Sequence, residues 1–305
     1  MSAVIPAPAR AISGAAFATL LLIALMMGGN HVAARIAFNN GVDVATAVVF
    51  RSTVTAAVIV AILASHGVRP RFTARHKRML PVIGLLIGVQ SLCLYSAVAR
   101  LPVALALLAF NTYPIWTAVW DAIVYRRRPE KTMLLAMPVI LVGLALALDV
   151  FGAASGLGAS GQWARIGAGV AFALAAAGTF GLALVLTQHE AGDVDGRVRT
   201  ATTMTLAGLV ALATVASQGG FHLPTAPAGW AGLATLTFLY GTAFTIMFTV
   251  LPRLGVVGNS AIMNVEPVFA LVLAWLILGQ AIAPVQVGGA LLVVGAVVAL
   301  GLRKR

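Results

Sequence analysis

Glu266 sits near the middle of an apolar, helix-length run and is followed directly by Pro267. A proline ring removes one helical hydrogen bond and favours a kink. A carboxylate beside a freed carbonyl can receive a substrate ammonium group or take up a proton. The alternative is a neutral or paired glutamate that ties two helices together. An ionisable side chain in hydrocarbon needs a partner, a wet cavity or a route to the interface, so Glu266 is a candidate functional residue. Other side chains of useful chemistry recur in similar runs. Asn30 and His31 follow the pair Gly28-Gly29, and an imidazole with a reference pKa of about 6.5 can relay protons or simply pack. Arg51 can capture a carboxylate or extend its stem to lipid phosphates, and the second choice also suits Arg35. Asn111 and Asn264 can bond across helices or contact substrate. Tyr113 and Trp116, at helical spacing, can line a cavity and stack on an apolar or aromatic group. Trp120 and Tyr125, nearer the end of that run, suit an interfacial belt. Tyr95 and Tyr240 are similar cavity candidates, and Pro114 and Pro267 mark helix kinks.

The elements that must hold these groups follow from composition. Hydrophobic residues are 61% of the chain and charged residues 9%, too few charges to cover a water-facing surface. Windows of about 20 apolar residues predict ten helical spans, at 11–37, 44–64, 79–99, 102–125, 132–150, 164–187, 200–217, 229–251, 256–278 and 285–302. The first is long for a signal peptide and reads as a retained span. Helices are the expected element because lipid-exposed backbone must satisfy its own hydrogen bonds. With the N-terminus inside, 16 of the 20 Lys and Arg residues fall in cytoplasmic segments, including 69–78, 126–131, Arg197, Arg199, Arg253 and 303–305. That alternation agrees with the positive-inside rule and puts both termini in the cytoplasm.

The pattern Arg-Leu…Asn-x-x-Pro occurs twice. Arg100, Leu101, Val103, Asn111 and Pro114 recur as Arg253, Leu254, Val256, Asn264 and Pro267, each shifted by 153 positions. Such self-similarity indicates duplication. The uncharged Gly/Ala/Ser-rich segment 151–163 is the expected linker between a first repeat, 1–150, and a second, 164–305. Five spans is an odd number, so the second repeat enters the membrane from the opposite face. Inverted repeats of this kind support alternating access around a midplane site.

Other classes fare worse. The net charge of +12 suggests nucleic acid at first sight, but the basic residues lie in short clusters between apolar segments, which is the membrane-orientation signal. A single cysteine, Cys93, excludes an internal disulfide framework and a cysteine-cluster metal site. The Gly158-Ala159-Ser160-Gly161 run matches an intramembrane serine-protease motif, yet it lies in the linker and lacks a suitably placed histidine. No zinc-helix His-Glu-x-x-His or Walker A loop occurs, so neither an enzyme, a metal site nor a direct ATP pump is expected, and no cofactor is called for. A passive channel is the nearer alternative.

Asn264-Val-Glu266-Pro267-Val-Phe, Leu-Gly279-Gln280 and the glycine-rich Gln286-Val-Gly288-Gly289 resemble the drug/metabolite transporter superfamily, in its ten-helix EamA-type branch. Met27-Gly28-Gly29-Asn30 is similar to the first-helix Trp-Gly-Ser-Asn of that family, and Phe50-Arg51 to its second-helix arginine. The usual glutamate after Leu-Gly is Gln280 here, its first-half counterpart falls within 126–128, and Met27 replaces the tryptophan. Length and layout look like the YddG-type amino-acid exporters. The resemblance implies an all-α integral membrane protein of the bacterial inner membrane that carries a small metabolite. An exported amino acid, including apolar and aromatic ones, is the expected substrate, with protons as a candidate coupling ion, lipid as the surroundings and no nucleic-acid partner. Resemblance and polar content together assign the cavity walls to spans one, three, four, six, eight and nine. A carrier for another small metabolite is the alternative.

Overall fold

The computed structural model describes residues 13–68, 70–129, 131–250 and 264–303, and these contain helices and no strand. In chain order the helices are α1 (Gly14–Asn39), α2 (Val44–Ser65), α3 (Ala74–Arg100), α4 (Val103–Phe110), α5 (Tyr113–Tyr125), α6 (Lys131–Ala147), α7 (Gly158–Glu190), α8 (Gly196–Ser217), α9 (Pro227–Thr249), α10 (Glu266–Leu278) and α11 (Pro284–Arg303). Seven are long and apolar enough to cross a membrane, counting α4 and α5 together as one, and α6, α10 and α11 are shorter apolar helices. Local chemistry sets several starts. Asp43 accepts from Thr46 N at 2.6 Å at the head of α2, and Thr73 and His76 form a reciprocal capping box on α3.

The distribution of polarity is that of a body surrounded by lipid. Large apolar side chains such as Leu135, Phe238, Trp275 and Leu276 face outward, while Asn30, His31, Arg51, Ser52 and Thr55 are buried. In water this arrangement would leave the apolar exterior unsatisfied; in hydrocarbon it is the stable one.

The two halves interlock. Helix α3 packs on α7 and α8, α9 packs on α1 and α2, α5 packs on α7, and α10 packs on α1. Exchanging α1 with α7, α2 with α8, α3 with α9 and α5 with α10 maps these contacts onto one another. The pairs α2 with α8 and α6 with α11 map onto themselves. Glycines permit the closest approaches. A Cβ on Gly28 would lie 3.0 Å from Ala270 N and 3.1 Å from Glu266 O, and one on Gly289 would lie 2.5 Å from both Ala147 N and Gly143 O.

Three features depart from the expected spans. The segment 102–125 is broken rather than kinked: α4 stops at Phe110, Asn111 and Thr112 form a turn, and α5 restarts with Pro114 in its first turn. Proline has no N–H to give the Phe110 carbonyl, but it is well placed where a new helix begins. Its equivalent Pro267 likewise stands in the first turn of α10, after a single 3-10 turn at 264–265. Arg253, Leu254 and Val256 lie outside the described residues. The segment read as a linker, 151–163, gives its last six residues to α7. The turn before it is held by Asp149, whose carboxylate accepts from Ala154 N at 3.0 Å and Ser155 N at 2.8 Å.

Short connections bring the ends of α1 and α2, α3 and α4, α6 and α7, α8 and α9, and α10 and α11 to one face of the bundle. That face is closed. Thr225 N donates to Asn40 O at 3.0 Å, Asp43 and His222 pair at 2.6 Å, and Gln286 Nε2 donates to Ala147 O at 2.8 Å. Gln280, where the family pattern has glutamate, accepts from Val103 N at 3.0 Å and so satisfies a free N–H at the start of α4.

Candidate functional site

A cavity of about 830 Å³ runs from the opposite face, where His66, Asp195, Arg197, Arg199 and Thr249 stand, to the middle of the bundle. It ends among His31, Arg51, Asn111, Tyr113, Tyr240, Asn264 and Glu266. Residues of the closed face do not line it. The starts of α5 and α10 therefore meet at its blind end, where the break between α4 and α5 presents side chains and backbone that a continuous helix would not.

Each predicted residue has a definite place. His31 Nε2 lies 3.3 Å from Glu266 Oε1; His31 is 2% exposed, Glu266 23%. The His31 ring meets Tyr95 edge to face at 5.6 Å. Tyr95 is fully buried behind the cavity wall and donates its hydroxyl to Asn30 Oδ1 at 2.7 Å. Arg51 is 3% exposed, and its guanidinium lies between two rings, 4.3 Å from Tyr95 and 4.1 Å from Tyr240. It does not extend to lipid. Arg35 does not either: it donates to Val98 O at 2.6 Å and ties α1 to α3.

Tyr113 donates to Asn264 Oδ1 at 3.0 Å, joining α5 to the turn before α10. Asn111 is buried, and its Nδ2 has no hydrogen-bond partner among the described residues. Trp116 is not a cavity residue. It packs against Gly178 and Gly181 of α7, where a Cβ on Gly181 would come within 2.9 Å of its own Cβ. Trp120 donates to Gly178 O at 2.9 Å rather than facing an interface. Both are turned to α7 because its glycines offer the indoles a groove.

The cavity also uses residues that sequence reasoning missed. Helices α2 and α8, omitted from the expected walls, contribute the expected Arg51 and the unexpected Thr200, Thr203 and Met204. Gln90 on α3 and Phe180 and Thr187 on α7 also line it. Arg197 and Arg199 read as loop charges and in fact flank the mouth. The repeated small and hydroxylated residues of α8 were the available signal.

Beside the mouth, His76 Nε2 lies 3.0 Å from Asp193 Oδ1, and Arg75 Nη2 3.5 Å from the same oxygen. Asp193 is held below the usual carboxylate range chiefly by its own backbone N–H, which desolvation opposes and His76 and Arg75 reinforce. Asp121 and His189 pair at 2.9 Å, and Tyr125 donates to Glu190 at 2.6 Å, fastening α5 to α7. Among the described residues there is no group of three or more metal-ligating side chains.

Comparisons with known proteins agree with this geometry. The threonine/homoserine exporter RhtA of Escherichia coli strain K12 is 24% identical over 244 residues, covering 77% of this chain and 73% of the exporter. The exporter of the same name from Salmonella typhimurium strain LT2 is 24% identical over 229 residues, covering 72% and 69%. A crystal structure at 19% identity shares the fold with a TM-score of 0.59, over 95% of this chain and 99% of that one. The family model for EamA-like transporters matches twice, at residues 14–148 and 167–302, with starts separated by the same 153 positions as the repeated motif. These two matches span nearly the whole chain: it belongs to the EamA-like transporter family and is a multi-pass membrane transporter, not an enzyme.

Proposed function

We propose that this protein is a secondary carrier that exports amino acids, including apolar and aromatic ones, across the bacterial inner membrane by alternating access at a midplane cavity. The observation that carries the proposal is the blind cavity itself. It is deep and roomy, reaches polar side chains at the middle of the bundle, and stops against a packed face. A carrier needs such one-sided access, whereas a channel needs a continuous path.

Two inverted five-span repeats, 1–150 and 164–305, joined by the segment between them, account for the doubled family match and for the interchange of contacts between halves. In this reading ten spans cross the membrane, both termini are cytoplasmic, and the fourth and ninth spans frame the site. The open face carries Arg71, Arg75, Lys77, Arg78, 126–128, Lys131, Arg197 and Arg199, so the positive-inside rule makes it cytoplasmic. The structure then corresponds to the state that loads substrate for export. The exporters of threonine and homoserine among the relatives support an amino-acid cargo.

Purified protein in liposomes, supplied with a panel of labelled amino acids at two pH gradients, provides the test. Saturable flux with counterflow is expected for at least one amino acid. Stepwise conductance at near-diffusive rates would sink the carrier reading, and failure of every amino acid would sink the cargo.

A further inference from the structure

The blind end of the cavity holds two opposite charges that do not pair with each other. Arg51 is buried, its Nε has no hydrogen-bond partner, and among the described residues no carboxylate pairs with it. Guanidinium stays protonated in proteins. The faces of Tyr95 and Tyr240 attract it through their ring quadrupoles, but rings do not accept the in-plane N–H bonds that a carboxylate takes two at a time. Behind it, Asn30, which accepts from Tyr95, has its Nδ2 buried without a partner as well. A fixed cation that lines the cavity and pairs with no carboxylate can receive an anionic group from it.

Glu266 lines the same cavity and is the opposite pole. His31 holds one of its oxygens, yet the carboxylate keeps part of its surface toward the cavity. The two poles belong to one packed sequence of side chains: Glu266 to His31 at 3.3 Å, His31 to Tyr95 at 5.6 Å between rings, Tyr95 to Arg51 at 4.3 Å, and Arg51 to Tyr240 at 4.1 Å. The two poles are thus linked through aromatic groups and both line the one cavity. Toward the mouth the cavity is bordered by two ring clusters. Tyr113 and Phe180 are 5.2 Å apart on one side, and Tyr240 and Phe244 are 4.6 Å apart on the other.

We infer that Arg51 and Glu266 form a two-pole site for a zwitterionic α-amino acid, Arg51 taking the α-carboxylate and Glu266 the α-ammonium, with the side chain between the ring clusters. This rests on the carrier reading above and adds to it a requirement: both the carboxylate and the amine of the cargo must be free and charged. His31 and Tyr95 are positioning residues that hold the two poles at their spacing.

The test is competition against counterflow of labelled L-phenylalanine and L-threonine in liposomes. The competitors are each unlabelled amino acid, its carboxamide and its N-acetyl derivative. In the unmodified protein each derivative should compete roughly tenfold or more weakly than the parent, the scale of one lost charge-assisted contact. Arg51→Gln should abolish the preference for acid over amide while keeping that for the free amine. Glu266→Gln should do the converse. Misfolding cannot produce this crossed pattern. If either variant is not monodisperse, the unmodified protein's own competition profile decides, and Arg51→Lys or Glu266→Asp should keep both preferences. Equal competition by amide and N-acetyl derivatives overturns the two-pole site and leaves the carrier reading standing. Loss of both preferences together in each variant also overturns it. Absence of any amino-acid flux in the unmodified protein overturns both readings.

Discussion

Single side chains at the blind end of the cavity combine two jobs, and substitution can separate them. Tyr95 supplies a ring face to Arg51 and a hydroxyl to Asn30. Tyr95→Phe keeps the first and leaves a buried Asn30 oxygen without its donor. It should cost about 1–3 kcal/mol, read as a lower thermal-unfolding midpoint in detergent, with substrate preference unchanged. Tyr95→Ala removes both and opens a void, so a loss of about 3–5 kcal/mol is expected. Asp193 gives a pH-dependent counterpart on the open face. Its folded-state pKa is depressed, so its contribution is complete above the unfolded value of about 3.9. It is lost as pH falls through the lower folded value. The unfolding midpoint of Asp193→Asn should lie below that of the unmodified protein at neutral pH and converge with it on acidification. A constant gap across that range would contradict the assignment.

At the scale of elements, glycines decide how closely helices approach, and one of them controls the site. Gly28 on α1 lies against the first turns of α10, with Ala270 N and Glu266 O just over 3 Å from where a Cβ would stand. Backbone cannot give way as a side chain can. Gly28→Val should displace α10, and Glu266 with it, from His31, costing about 1–3 kcal/mol of packing strain and most of the transport. The adjacent Gly29 is a control, because its Cβ would meet only flexible leucine termini, Leu239 Cδ1 at 3.2 Å and Leu273 Cδ1 at 3.6 Å. Gly29→Ala should retain flux close to that of the unmodified protein. Similar flux from the two variants would show that the α1–α10 contact does not position the site. The helix starts at the cavity belong to this scale too. Proline at the second position of α5 and α10 starts a helix at the cavity rather than bending one through it, which puts Tyr113 and Glu266 in first turns.

For the whole molecule, the proposed alternation of access requires the closed face to part where the loops at 40–43 and 222–225 meet. Thr225 binds Asn40 through both its N–H, at 3.0 Å, and its hydroxyl, at 3.2 Å. Cysteines at 40 and 225, introduced together with Cys93→Ser, would place two thiols at this backbone contact as a candidate disulfide. Oxidation should trap the closed face, abolish counterflow and leave binding from the open face intact, and reductant should restore flux. Continued transport by the oxidised protein would mean that this face need not part. Opening there also requires α9 to move relative to α1, because Gly232 brings these helices within 2.9 Å of a virtual Cβ at Ala33 O. Tyr240, on the same helix, would then shift against Arg51, linking the site to the seal.

The amino-acid sequence by itself determined an all-helical membrane chain, the doubled motif with its 153-residue offset, and Glu266 as an expensive polar residue in an apolar run. These are local properties: hydropathy, composition and spacing do not depend on which way a helix faces. Direction is what tertiary structure decided. Helices that are apolar on nearly every side give little rotational signal, so Trp116 looked equivalent to Tyr113 until the glycines of α7 claimed it. For the same reason α2 and α8 were not recognised as cavity walls. Arg51 illustrates the difference most clearly. An arginine seven residues into an apolar helix has enough stem to reach lipid phosphates. Only the packing of α2 against α3 and α9 brings Tyr95 and Tyr240 to its two faces and keeps the charge inside.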